Sequence, residues 1–239
     1  MHPLRIGINA LFLIPGGVGG AEIVLRNLLQ GMARAARSHQ IVIFLNRETD
    51  ADLVPAHPNF HPVQTGVGAN FRPARILYEQ IRLPRDARAA KIDVLFNPGN
   101  TSPHFLRSPK VTLIHDLQHH HHPEYFTAGH LLAWRHTMWA SAKSSARILT
   151  VSDTSRRDIH GVYGVPLDRI HVAEPGVEPE LLALERTGDE PMILCVSTLH
   201  PHKNHERLID AFAAFRKSHT EYKLVLAGMF GLHHHAVER

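Results

Sequence analysis

Lys203 and Asn204 open an apolar-periodic stretch, Asn204–Phe215, that follows a strand-like run, Ile193–Val196. An ammonium beside the free amides of a helix start stabilises a departing diphosphate, and the pair can take the place of a divalent metal. Asn204 is a favourable N-cap type. Ser197 begins the loop Ser197–Lys203 between strand and helix. A second candidate pair, His115-Asp116, ends the strand-like run Val111–His115. A neutral imidazole there can hydrogen-bond a ligand hydroxyl, and Asp116 can orient the loop or the ring. The third candidate is the loop Pro15–Gly20, with Gly16, Gly17, Gly19 and Gly20 ahead of Ala21 and Glu22. Glycine admits close backbone approach to a ligand, and amides at a helix start attract anions. The dinucleotide fingerprint fails, because from Gly17 it needs glycine where Glu22 stands, and no Gly-Lys-Ser/Thr follows as in a P-loop.

Other features carry weaker chemistry. Asp50-x-Asp52 has the form of a metal-binding pair but lies in a polar loop. The runs His119–His122 and His233–His235 lack the spacing that puts ligands on one face, so we expect no metal site. Cys195 is the only cysteine and sits in an apolar strand, which predicts a buried inert thiol and a cytoplasmic setting. Segment Arg72–Lys91 holds Arg72, Arg75, Arg82, Arg85, Arg88 and Lys91 against Glu79 and Asp86. It reads as a solvated helix face, as a contact with an acidic acceptor, or as a peripheral contact with anionic lipid headgroups at the inner face of a membrane. Nucleic acid is not an expected partner, since no nucleic-acid motif accompanies these cations.

The elements that must position these groups alternate. Strands are expected at Leu4–Asn9, Ile41–Leu45, Phe60–Gln64, Ile92–Phe96, Val111–His115, Ile148–Val151, Ile170–Ala173, Ile193–Val196 and Leu224–Ala227. Helical periodicity spans Ala21–Ala36, Arg75–Ala90 with a break at Pro84, Leu131–Ser144 and Asn204–Phe215. Ser155-x-x-Asp158 has the form of a capping box opening a short helix. Such alternation predicts an α/β fold with a parallel sheet covered on both faces and ligands beyond the carboxyl ends of the strands. The chain has 239 residues, 44% of them hydrophobic and 20% charged, which fits a globular protein and excludes a disordered one. No run reaches the roughly 18 apolar residues of a membrane helix, and the N-terminus reads as a strand, not a signal peptide.

These segments, in their order, resemble the family 4 glycosyltransferases. The matching pieces are Gly19-Gly20-Ala21-Glu22, Val111–Leu117, His122–Phe126, Thr150–Ile159, Pro175-Gly176-Val177, Ser197–Phe212 and Leu224–Gly228. The resemblance implies the GT-B architecture of two Rossmann-like domains. Residues 1–175 would be a complete N-terminal, acceptor-side domain and 176–190 a linker. Residues 191–239 would be the first β-α-β unit of a nucleotide-sugar donor-side domain. It implies retaining, metal-independent transfer of a hexose of mannose or glucose type from a GDP- or UDP-sugar to a polysaccharide or lipid-linked glycan, with no cofactor. By that resemblance His115 contacts the sugar, Lys203 binds the diphosphate with Ser197 and Asn204 beside it, and Gly19, Gly20 and Glu22 line the cleft.

Three departures stand out. Ser197 replaces a usual glycine and is expected to crowd the phosphates. His202 replaces a usual arginine. The family's E-x7-E element is absent, since no two glutamates stand eight apart. We therefore expect a chain truncated within its second domain. Residues 191–239 would be too few to bury a core alone, and would lean on the first domain, pair with another chain or be poorly ordered. The competing reading is a non-catalytic remnant that binds a glycan acceptor or a partner chain.

Overall fold

The computed structural model describes residues 2–35, 38–49, 51–177, 179–185, 188 and 190–229. Asp50 of the Asp50-x-Asp52 pair and the run His233–His235 lie outside them. The chain divides into two compact units, Met1–Pro179 and Glu180–Arg239.

In the first unit strands and helices alternate as β1 (Arg5–Asn9), α1 (Gly20–Ala35), β2 (Gln40–Leu45), β3 (Phe60–Gln64), α2 (Arg72–Ile81), α3 (Leu83–Ala89), β4 (Val94–Asn97), β5 (Lys110–Leu113), α4 (Gln118–His121), α5 (Ala128–Ser144), β6 (Arg147–Thr150), α6 (Asp153–Tyr163) and β7 (Ile170–Val172). The seven strands form one sheet in the order β3-β2-β1-β4-β5-β6-β7. Every pairing is parallel, with Ile8 opposite Ile43 on one side and Phe96 on the other. The apolar strand runs Ile41–Leu45 and Ile6–Ile8 are what such a sheet needs, because both of its faces are covered. Ile8, Ile41, Ile43, Leu25 and Leu29 pack in one core cluster, and Val42, Phe44, Leu83, Ala87 and Leu95 in another. A third joins Ile114, Ile148, Ile159 and Ile170 to Trp134, Met138 and Tyr163. Chain direction across the sheet reverses between β1 and β4, the place where open α/β sheets form a crevice.

The helix breaks have local causes. The cationic segment splits into α2 and α3 at Arg82, with Pro84 in the first turn of α3, where a missing N–H costs nothing. The expected capping box at Ser155 is not the start of α6. Ser152 is the N-cap: its Oγ accepts the Ser155 N–H at 3.2 Å, and Ser155 lies inside the first turn. The hydroxyl three residues upstream captured the orphan amide first. Gly164 ends α6 at φ +60°, the left-handed conformation that suits glycine.

The second unit contains α7 (Pro179–Leu182, begun in the first unit), β8 (Met192–Val196), α8 (His205–Phe215) and β9 (Lys223–Ala227). β8 and β9 pair in parallel, with Cys195 opposite Leu226. Met192, Leu194, Val196 and Val225 share one face of this pair and are exposed. Cys195 is half-buried, not fully enclosed as its apolar strand suggested; among the described residues its sheet consists of β8 and β9 alone. Among the described residues no helix is long and apolar enough to cross a membrane.

Candidate active site

The carboxyl end of the first unit's sheet is organised by three buried asparagines. Asn9 closes β1 and donates from Nδ2 to Asn97 Oδ1 at 3.1 Å, which ties the two strands flanking the crevice. Asn97 donates in turn to the carbonyls of Leu95 and Val111. Asn46, just past β2, donates to the carbonyls of Leu11 and Leu13 and accepts from the Glu48 and Thr49 amides. A short amide side chain can satisfy backbone donors and acceptors where a strand ladder stops.

The loop after β4, residues 98–104, is held from every side. Thr101 Oγ1 donates to Glu79 Oε2 at 3.2 Å. Gln80 donates to the Ser102 carbonyl and accepts the His104 N–H. Lys110 Nζ donates to the carbonyls of Pro103 and His104, and burial pulls its ammonium down to about 8. Glu79 itself is completely buried and faces Arg75 Nη1 at 3.4 Å. Burial raises its carboxyl above the ordinary range, against the lowering influence of Arg75, Thr101 and Asn9.

This loop in turn holds His115. Asn100 Oδ1 accepts the His115 N–H at 2.9 Å, and Ser155 Oγ donates to the His115 carbonyl at 2.9 Å. The imidazole Nε2 lies 3.2 Å from the Pro98 carbonyl. A carbonyl only accepts, so Nε2 carries the proton and Nδ1 is left as an acceptor. Burial lowers the His115 pKa, which keeps the ring neutral at pH 7. Asp116 acts on that ring through its charge, which opposes the lowering of the His115 pKa, and on the loop through a hydrogen bond. Its Oδ1 accepts the Gln118 N–H at 3.0 Å and shapes the turn into α4.

The glycine loop joins β1 to α1. Gly16 and Gly19 adopt φ +69° and +57°, and a β-carbon at Gly19 would meet nothing within 4 Å, so conformation and not crowding favours glycine there. Gly20 is the first residue of α1. Glu22 is committed within the loop: one oxygen accepts the Gly16 N–H at 2.8 Å and the other pairs with Arg26. Glu22 thus closes the loop on itself.

Ser197, Lys203 and Asn204 belong to the second unit. Lys203 is exposed in a single tight turn, Pro201–Lys203, and Asn204 follows at φ +57°. Asn204 occupies the N-cap position of α8 but makes no side-chain cap bond. In the left-handed conformation its side chain does not adopt the extended-backbone geometry that capping uses. His202, in place of the usual arginine, stacks on His200 with ring centres 5.6 Å apart. The Ser197 hydroxyl is 2.8 Å from His205 Nε2, at the first residue of α8. The histidine run His119–His122 spreads over different partners: Tyr163 for His119, Asp158 for His121 and Glu124 for His122. Among the described residues no three metal-ligating side chains converge.

Sequence reasoning missed Glu79, Asn97, Asn100 and His205. Arg75 and Glu79 are four apart in a helical segment, a spacing that signals an ion pair. Asn97-Pro98-Gly99 reads as a turn opening Asn97–Pro103, a loop expected on the ligand side of the sheet, which includes Asn100 without singling it out, and nothing in the chain marked His205.

Known proteins agree with this architecture. The sequence profile described as Glycosyltransferase Family 4 matches residues 18–181, and that described as Glycosyl transferases group 1 matches residues 181–238. O-antigen chain mannosyltransferase B of Escherichia coli is 26% identical over 181 residues, 68% of this chain and 47% of that protein. The chain thus spans about half the length of that relative. Among solved structures, TarM superposes with a TM-score of 0.64 at 9% identity, covering 98% of this chain and 73% of TarM. The apo form of the lipopolysaccharide outer core galactosyltransferase WaaB gives 0.56 at 11%, covering 95% and 68%. A structure described as trehalose-6-phosphate from E. coli bound with UDP-2-fluoro glucose gives 0.57 at 12%, covering 95% and 65%. These likenesses show a fold of the GT-B glycosyltransferase type. The family profile covers well over half the chain, and the chain belongs to glycosyltransferase family 4.

Proposed function

We propose that the chain carries the acceptor-side domain and the opening of the donor-side domain of a glycosyltransferase. The enzyme moves a hexose of mannose or glucose type from a GDP- or UDP-sugar to a polysaccharide or lipid-linked glycan. The observation that carries this reading is the neutral His115 fixed at the end of β5 by Asn100 and Pro98. Its Nδ1 lone pair accepts a hydrogen bond from a hexose hydroxyl and sets the sugar's orientation. Lys203 neutralises the departing diphosphate together with the α8 amides. In the step itself the acceptor hydroxyl oxygen bonds to the anomeric carbon. The bond from that carbon to the β-phosphate oxygen breaks, and the acceptor proton leaves with the nucleoside diphosphate. The reading is of a retaining transfer in which the lysine and helix amides serve where other enzymes use a metal.

The acceptor side fits an anionic lipid-linked substrate. Arg82, Arg85, Arg88 and Lys91 are exposed, whereas Glu79 is buried against Arg75 and Asp86 accepts the Tyr78 hydroxyl at 2.7 Å. The outward charge of this segment is therefore cationic. Beside it, α2 and α5 enclose a groove of about 620 Å³ lined by Ile76, Leu77, Ala133 and Trp134, with Arg72 lying 3.7 Å over the Trp134 ring. Apolar walls with a cationic rim match a hydrocarbon chain that ends in phosphate.

A calorimetric screen of UDP- and GDP-sugars with Lys203→Ala as control tests the donor assignment. Binding by the parent chain that the lysine substitution abolishes supports it. Undiminished affinity in Lys203→Ala refutes the assignment, and absence of binding to every nucleotide sugar favours a glycan-binding remnant.

A further inference from the structure

Ser197 stands in the loop that receives the diphosphate in the reading above, and the inference here rests on that reading. A side chain at this position was expected to crowd the phosphates. The structure turns its hydroxyl onto His205, with Oγ 2.8 Å from Nε2. His205 is 1% exposed, and its Nδ1 is buried with no hydrogen-bond partner among the described residues. A buried N–H without an acceptor is costlier than a bare lone pair, and the partnered ring nitrogen takes the proton. Nε2–H therefore donates to Ser197 Oγ. The Ser197 proton is then not consumed by His205 and is directed elsewhere; Cys195 Sγ, at 3.8 Å, is a weak acceptor.

The backbone on either side is fixed. The Ser197 N–H donates to the Ala227 carbonyl at 2.9 Å, and a β-carbon at Gly228 would come within 2.0 Å of the Ser197 carbonyl oxygen. Strand ladder, Gly228 and His205 thus hold one loop residue from three directions. The amide at this position is already spent on Ala227, so a glycine here has no further donor to offer a diphosphate, whereas this serine offers an oriented hydroxyl.

We propose that His205 is a positioning residue that holds Ser197 as a hydrogen-bond donor to the diphosphate of the nucleotide sugar. His205 touches no ligand itself; it acts through Ser197. The pair compensates for the loss of a fixed arginine at His202 with one directional bond to an anionic oxygen.

Titration of UDP and GDP into the chain by calorimetry tests this. Ser197→Ala is expected to weaken nucleotide binding about ten-fold, the order of a hydrogen bond to a charged group. His205→Phe keeps the volume, removes the donor and is expected to match Ser197→Ala. The double variant is expected to bind no more weakly than either single one. His205→Gln, whose amide donor reaches a similar place, is expected to restore binding, which a purely space-filling role for the ring would not. Unchanged or tighter binding by Ser197→Ala, where the parent binds and Lys203→Ala does not, overturns the proposal and leaves the donor site standing. No binding of either nucleotide by the parent chain overturns both.

Discussion

Asn100 accepts the backbone N–H of His115 at 2.9 Å, and it does so from φ +68°. Two demands meet in one residue: a left-handed backbone and a side-chain acceptor. Asparagine meets both, since its short polar side chain tolerates that conformation better than most. Asn100→Asp keeps both properties and is expected to retain transfer activity. Asn100→Gly keeps the backbone and loses the acceptor, so activity is expected to fall with little change in melting temperature. Asn100→Ala loses both and is expected to cost about 1–3 kcal/mol of stability as well. Parallel melting curves and initial rates on one nucleotide sugar check this; equal rates for Asn100→Gly and the parent would refute the role given to Oδ1.

Glu79 and Arg75 form a buried pair beneath the same loop. Removing one partner leaves the other charge unpaired in the interior, at about 3–5 kcal/mol. Glu79→Ala is therefore expected to lower the urea unfolding midpoint strongly, and Glu79→Gln, which keeps a polar partner for Thr101, by less. A loss below about 1 kcal/mol in Glu79→Ala would show that solvent reaches Arg75 and that the pair is not what anchors residues 98–104.

The sheet was legible because its signal is compositional. Short runs rich in β-branched residues such as Ile41–Leu45 read as strands buried on both faces, and their alternation with helical periodicity points to a parallel order. Element ends were less legible, because they depend on which side chain captures an orphan amide. Ser152 and Ser155 are equally good N-cap residues by type, and the turn geometry chose the first. Motif residues His115 and Lys203 were visible from strand and helix ends. Their supports were not. Asn100, Glu79 and His205 act through contacts with residues 15, 22 and 8 positions away in sequence, and no local pattern encodes those distances. Glu22 and Asp116 also hold their own loops: Glu22 accepts the Gly16 N–H, and Asp116, read as orienting the loop or the ring, accepts the Gln118 N–H.

His119 predicts an acid limit to stability. It is buried, its Nε2 faces the Tyr163 hydroxyl at 3.0 Å, and burial, with His120, Arg135 and His121 adding repulsion and Asp116 opposing, lowers its pKa from 6.5 to about 4. Between those values the unfolded chain binds more protons than the folded one, so stability falls as pH drops from 6.5 towards 4 and is complete above 6.5. The stability difference between the parent and His119→Gln is expected to shrink by about 2 kcal/mol from pH 7 to pH 4. A difference that stays constant across that range, measured by chemical denaturation, would mean that the imidazole is protonated in the fold.

The lipid contact proposed for the cationic face of α2 and α3 can be tested on vesicles. Arg82, Arg85 and Arg88 point into solvent on a segment whose carboxylates are turned inward, and Phe71, Leu77 and Phe105 are exposed nearby. Each cation near an anionic surface contributes about 1 kcal/mol, and salt screens that contribution. Replacing the three arginines by glutamine is expected to weaken association with phosphatidylglycerol vesicles about a hundred-fold at low salt. The same replacement is expected to flatten the dependence on ionic strength, with the fold unchanged because none of the three is buried. Apolar contact is a separate contribution. Leu77→Ser on the groove wall is expected to weaken binding equally at low and high salt, since hydrophobic burial is not screened. Vesicle co-sedimentation across a salt series separates the two. Arginine and leucine variants that both sediment like the parent would remove this face as the membrane contact.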